Sequence, residues 1–348
     1  MSYRILVGSY TNEIYTLTFD PTSPSLTLVS TLTVGHHPSW ITPHPTDGSL
    51  VFAGLEQPDG KVVVVKYEAD GQGTLIGEVP SGGADPCTLL AVGTELLIGN
   101  YSSGTFTTIP LIPEPPHLQA SKSKTVTFIG SGPNKERQQT SHPHQVVFHA
   151  SHAELLIPDL GADLTRRFTK NSDGGWNPSG NVSFKAGSGP RHVALYNGVM
   201  YTVLELTNEV TAHIFPPVPA EPTLVACLST MRNVEPNMFA AEILVLHPTE
   251  KFSTPYLYVS NRDDSSPKND VISVFSLANP QKPERVAEVR SGLRHLRGMA
   301  FGGPDDRWLI AGGVHGGGVK VLERVDGGKG LKEIASVELE APTSFLWM

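Results

Sequence analysis

The chain has 348 residues, of which 34 are glycine and 29 proline, while charged residues make up only 17%. The 26 basic and 34 acidic residues leave a formal charge of −8 with no Lys/Arg block, so a nucleic-acid partner is not expected. No apolar run approaches the roughly 20 residues of a membrane-crossing helix, and the abundance of turn residues between short apolar runs excludes a coiled coil or long helical bundle in favour of an all-β chain.

Three strands are predicted at the N-terminus, over 3–10, 14–19 and 26–32, from period-2 alternation bounded by turn residues. A short segment then recurs about every 50 residues. It reads PSWIT from Pro38, PCTLL from Pro86, PHQVV from Pro143, PRHVA from Pro190, AAEIL from Ala240, RGMAF from Arg297 and TSFLW from Thr343. Each copy is followed by a turn, a strand, a second turn and a β-branched strand; after Pro38 these strands fall at 50–55, 61–67 and 74–79. The period lies close to that of a four-stranded propeller blade, roughly 40 to 50 residues. The N-terminal stretch has three strands and no innermost segment, whereas TSFLW is an innermost segment with no strands after it. Their pairing would complete a seventh blade. The expected architecture is therefore one domain over residues 1–348, an all-β seven-bladed β-propeller of four-stranded antiparallel blades, with insertions at about 110–141 and 216–238.

Cys87 and Cys227 lie far apart in apolar contexts and read as small buried hydrophobes in a reducing compartment. The opening MSYRILVGSYT carries no basic stretch followed by an apolar one, so a cytoplasmic location is expected. In a propeller the starts of the innermost strands converge, which would gather His36, His37, Asp85, His142, His144, Arg191, His192, Glu242, Arg294, His295 and Arg297. The ends of the second strands would add Glu56, Glu205 and Arg262. In a chain this poor in charge, such a gathering of His, Arg and Glu marks a candidate site. His44, His149 and His247 recur just after the inner segment and read as turn chemistry; Asp159 and Asp163 read as carboxylates bracing the next loop. Paired metal-ligand spacings such as H-E-x-x-H or C-x-x-C are absent, so no metal is expected.

The segments SHPHQVVFH, IPDLGADL, GSGPRHVAL, LELTNEV, AAEILVLHPTE and YVSNRDDS, together with ILVGSYT and GNYSSG, resemble the lactonase-type seven-bladed propeller family. That family includes the bacterial propeller 6-phosphogluconolactonases and the fungal carboxy-cis,cis-muconate cyclase. The resemblance implies a cofactor-free site acting on lactones or lactone-forming acids, with His144, Arg191, Glu205 and Arg262 as its catalytic residues. Substrate contacts are expected from His142, His192, Arg297, His37 and His295. The sixth unit departs from the family pattern at LRHLRGMAF and at VHGGGVKV, positions that bear on the substrate.

These residue types suit the chemistry. Lactone hydrolysis needs a base for the attacking water and donors for the developing oxyanion. A histidine such as His144 can be the base, and the planar forks of Arg191 and Arg262 hold carboxylate or phosphate oxygens bidentately. Glu205 could fix a histidine tautomer, pair with an arginine or act as a second acid–base group. The expected ligand is a small anionic lactone or carboxylate. The same set could instead run ring closure as an intramolecular lyase, or survive in a non-catalytic binding scaffold. The competing structural reading of Arg191 and Arg262 is an inter-blade salt bridge to Asp159, Asp163 or Glu205.

Overall fold

A computed structural model describes residues 2–267 and 269–348. They form seven four-stranded sheets, the antiparallel blades expected of a seven-bladed β-propeller. Helix among the described residues is confined to three-residue 3-10 turns, and no helix there is long and apolar enough to cross a membrane. The chain divides into two compact units, Met1–Phe128 with Gly292–Val325 and Leu331–Met348, and Ile129–Ser291 with Asp326–Gly330.

In the first unit the C-terminal strand Pro342–Trp347 joins the sheet of the N-terminal strands, pairing Ile5 with Trp347 and Val7 with Phe345. The second strand of a blade is its most buried: every residue of Leu50–Leu55 is buried, while the outer strand Ser25–Thr33 is largely exposed. The core lies between adjacent blades. Ile5, Val7, Leu17 and Phe19 pack on Trp308, Ile310, Val319 and Val321, each large side chain contributing about 1.5–3 kcal/mol of burial. Trp40 and Trp347 join blades as well, donating through Nε1 to Leu89 O at 3.0 Å and Ala300 O at 3.3 Å.

The second unit holds three blades. Their first strands are Val147–His149, Pro190–Tyr196 and Phe239–Leu246. Ala240, Ile243, Leu257, Val259 and Phe275 of one blade pack on Val199, Tyr201 and Val203 of another. The buried Arg167 is a strut here. It meets Glu154 at 2.8 Å and 3.0 Å and also donates to Pro216 O and Ala220 O.

One local device recurs at the inner strands. The residue before the opening proline holds a left-handed backbone in His37 (φ 50°), Asp85 (φ 56°), Gly189 (φ 64°) and Ala341 (φ 44°). The residue after the proline is then bulged out of register, between Pro38 and Trp40, between Pro86 and Thr88, and between Pro190 and His192. A bulge re-aims the side chain it carries. Arg191 is such a residue.

Several expectations need correction. The inner strand foreseen from Pro143 is reduced to Val147–His149. Residues 143–146 leave the ladder except for a bridge between Pro143 and Asp159, and the Gln145 side chain instead accepts from Val193 N–H at 2.7 Å. The segments read as insertions supply outer strands, Lys124–Thr127 and Thr223–Ser229. Cys87 is buried as expected, but Cys227 is exposed, because it sits on an outer strand with no further blade strand beyond it. The turn reading of the histidines holds for His44 and His149, whose Nδ1 atoms accept from Asp47 N–H and His152 N–H, both at 3.1 Å.

Candidate functional site

The second unit is organised around Glu205, which directly follows the buried strand Val199–Leu204 and has no exposed surface. Its backbone N–H donates to Gly189 O at 2.8 Å. Three guanidiniums surround its carboxylate. Arg137 Nη2 donates to Oε1 at 2.5 Å, and Arg262 Nη2 lies 2.9 Å from the same oxygen. Arg191 Nε stands 3.0 Å from Oε2, an ion pair set off the N–H axis. Burial alone would push this carboxyl up, but Arg262, Arg191 and Arg137 outweigh it and hold the pKa down at about 2.

Arg191 is aimed here by its bulge, and its Nη1 also donates to Ala241 O at 2.7 Å. That carbonyl is freed by a second bulge, between Ala240 and Ile243 of the next blade. The same bulge turns Glu242 inward, where its N–H donates to Ser260 Oγ at 2.9 Å and its Oε1 accepts from Ile243 N–H at 3.0 Å. Glu242 Oε1 then meets His192 Nδ1 at 2.7 Å, while His192 Nε2 lies 3.2 Å from Arg191 Nη1. A guanidinium can only donate, so Nε2 is the acceptor and the ring proton sits on Nδ1, facing Glu242. Burial raises the affinity of Glu242 for a proton, yet His192 and Arg191 bring its pKa below the ordinary value.

The ring of the buried His144 packs edge-on against His192 with centroids 5.2 Å apart. The backbone N–H of His144 donates to Pro158 O at 2.9 Å. Arg262 ends the strand Tyr256–Arg262 opposite Phe239, and the guanidiniums of Arg137 and Arg262 lie 5.6 Å and 5.9 Å from that ring. The two cations therefore share one aromatic ring.

Two aspartates hold the framework. Asp159 accepts from Arg166, from His142 N–H at 2.7 Å and from Ala162 N–H at 3.2 Å. Asp163 accepts from Gly187 N–H at 2.7 Å, Gly189 N–H at 2.8 Å and Gln138 Nε2 at 2.7 Å. It thus braces both the loop leading to Arg191 and the loop carrying Arg137. The bracing role expected of both carboxylates holds.

Of the residues singled out in the sequence, the second unit brings His144, Arg191, His192, Glu205 and Arg262 into one connected group, with His142 beside it on the Asp159 brace. His37, His295 and Arg297 belong to the first unit. There His37 lies against Tyr10, Arg297 faces Glu56, and the His295 and His315 rings are 4.3 Å apart. Burial, then His36, lowers the His37 pKa against the raising influence of Glu56 and Asp85. The salt-bridge reading of Arg191 and Arg262 also holds, with Glu205 as their shared partner. Arg137 and Phe239 were not foreseen, because neither lies in a recurring segment. Glu242 stood at a segment start, but its histidine partner is 50 residues away.

Three guanidiniums against the carboxylates of Glu205 and Glu242 leave an excess of positive charge, which suits an anion and disfavours a cation. A match to the family model "Lactonase, 7-bladed beta-propeller" spans residues 4–347. The chain belongs to this lactonase family. It is 27% identical to the 6-phosphogluconolactonase of Bacillus subtilis, with 91% of this chain and 90% of that protein covered. It is 28% identical to a fungal protein of Arthroderma benhamiae named as a probable 6-phosphogluconolactonase, over 98% of this chain and 88% of the relative. Among solved structures, the periplasmic gluconolactonase of Pseudomonas aeruginosa shares the fold, with a TM-score of 0.86 at 20% identity over 100% of this chain and 99% of that one.

Proposed function

We propose that the chain hydrolyses a small anionic sugar-acid lactone at the arginine–histidine group around Glu205, without a cofactor. The observation that carries this reading is the trio of guanidiniums on one buried carboxylate, beside a pair of imidazoles, in an otherwise acidic chain. The names of the curated relatives favour hydrolysis over ring closure and a 6-phosphorylated gluconolactone as the substrate.

In this reading His144 takes a proton from water as its oxygen attacks the lactone carbonyl. Charge moves onto the carbonyl oxygen, where Arg191 and Arg262 donate to it. The ring C–O bond then breaks, and the imidazolium of His144 returns its proton to the departing alkoxide. One water is consumed and one hydroxy acid is formed. Glu205 keeps the guanidiniums oriented, and the net positive charge draws in the anionic group of the substrate.

The test is hydrolysis of 6-phosphogluconolactone, gluconolactone and a muconolactone, each followed against spontaneous opening. Faster turnover of the phosphorylated lactone, lost in His144→Ala and Arg262→Ala, is the expected result. Rates at the spontaneous background for every lactone would overturn the reading.

A further inference from the structure

One guanidinium closes the neck of the loop that carries Arg137. Residues 129–141 contain neither strand nor helix, and their two ends return to the same place. Arg166, on the strand Leu164–Lys170, brings Nη2 to 3.0 Å from Ile129 O and 3.1 Å from Ser141 Oγ. Its Nε donates to Asp159 Oδ2 at 2.9 Å, and the other oxygen of that carboxylate accepts from His142 N–H. A segment whose first and last residues are tied to one side chain has the form of an Ω-loop. The buried Gln138 fills its interior. Gln138 Oε1 accepts from Asn134 N–H at 3.2 Å, and Nε2 donates to Leu160 O at 2.9 Å and Asp163 Oδ1 at 2.7 Å. Asn134 Oδ1 in turn accepts from Arg137 N–H at 3.1 Å. Thr140 O lies so close over Gly161 that a Cβ there would overlap it. The loop is a fixed arm.

The arm delivers one charged group. The Arg137 side chain reaches Glu205 yet stays 32% exposed, whereas those of Arg191 and Arg262 are 2% and 6% exposed. Of the three guanidiniums on Glu205, it is the one an entering ligand meets over the largest area. The bond-making steps above use neither Arg137 nor Arg166. A guanidinium that reads an anion has to be aimed, because its planar fork matches phosphate oxygens in a defined orientation. Here the aim is set at the neck of the loop, by a second arginine that does not touch Glu205.

We propose that Arg137 is the residue that selects a phosphorylated substrate over an unphosphorylated one, and that Arg166 is its positioning residue, acting only by clasping the loop 129–141. The choice of phosphate rests on the hydrolytic reading above; the clasp rests on the loop geometry alone.

A double-mutant cycle on the whole chain tests it. The probes are 6-phosphogluconate, the acid such a lactone would yield, and gluconate, which lacks the phosphate; calorimetry measures both. The natural chain is expected to prefer the phosphorylated acid. Arg137→Gln and Arg166→Gln should each cut that preference about tenfold, as for loss of a charge-assisted hydrogen bond. The double variant should bind no more weakly than the weaker single one. No preference in the natural chain, an unchanged preference in either single variant, or losses that multiply in the double variant would overturn the proposal. Hydrogen exchange gives a readout free of any ligand. The amides of Gly132 and Gln138, which donate to Gln138 O and Asn134 O, should exchange faster in Arg166→Gln while those of Tyr256–Arg262 do not change. Unaltered exchange in the loop would sink the clasp. If Arg166→Gln does not fold, Arg166→Lys, which keeps the charge without the fork, replaces it in the cycle. Phosphate-dependent binding without lactone hydrolysis would fail the hydrolytic reading and support this one.

Discussion

His192 and Glu242 face each other at 2.7 Å across two blades of the second unit, and the opposite ring nitrogen of His192 is 3.2 Å from Arg191. The histidine is thereby a spacer of defined tautomer between a carboxylate and a guanidinium. Glu242→Gln removes the charge that favours the Nδ1–H form. Stability is expected to fall by about 2 kcal/mol, as for loss of a charge-assisted hydrogen bond, which urea unfolding measures. Nitrogen-15 NMR of the His192 ring is expected to show the Nδ1–H tautomer in the natural chain and a mixture in the variant.

Glu205 is expected to shape the acid limb of stability. Burial raises its pKa, but Arg262, Arg191 and Arg137 prevail and bring it from 4.5 to about 2. A carboxyl depressed on folding stabilises the native state fully above its unfolded pKa. That contribution is lost as pH falls through the folded one. Unfolding free energy measured between pH 5 and pH 2 should therefore decline across this window in the natural chain, and less steeply in Glu205→Gln.

The same substitution at pH 7 leaves three guanidiniums without their carboxylate. Breaking a buried ion pair on one side costs about 3–5 kcal/mol. Glu205→Gln is expected to lose that much in denaturant unfolding.

Asp163 connects the two loops that carry arginines. Asp163→Asn turns an acceptor of three donors into an amide that must present two donors of its own. The expectation is a rise in KM for an anionic lactone and a loss of about 2–3 kcal/mol in stability. Arg137 and Arg191 would both be less well placed.

Arg167 provides the contrast. It pairs with Glu154 at 2.8 Å and lies 4.5 Å from the Phe215 ring, and the proposed reaction has no role for it. Arg167→Met is expected to destabilise the chain by about 3–5 kcal/mol while kcat per folded molecule stays unchanged. Unfolding and turnover measured on one preparation separate the two effects.

The blades were legible because a strand buried on both faces must be continuously apolar, as in Leu50–Leu55, and because the punctuation between strands recurs with the blade. The strands foreseen at 50–55 and 61–67 match Leu50–Leu55 and Lys61–Tyr67. The shortened strand Val147–His149 was not legible, because a side chain, Gln145, takes over a ladder contact. Outer strands such as Thr223–Ser229 were mistaken for insertion, since a half-exposed edge carries a weak apolar pattern.

By itself the sequence determined the all-β blade repeat, the pairing of chain ends and the residue types His144, Arg191, Glu205 and Arg262, because these rest on periodicity and short motifs. Which groups meet was decided only by the tertiary structure. Bulges at Arg191 and Glu242 break the strict alternation along a strand and re-aim side chains out of the order their spacing implies. Arg137 reaches Glu205 from 68 residues away through a loop with no recurring pattern. Scarce charge marked the candidates; the fold made three arginines answer to one carboxylate.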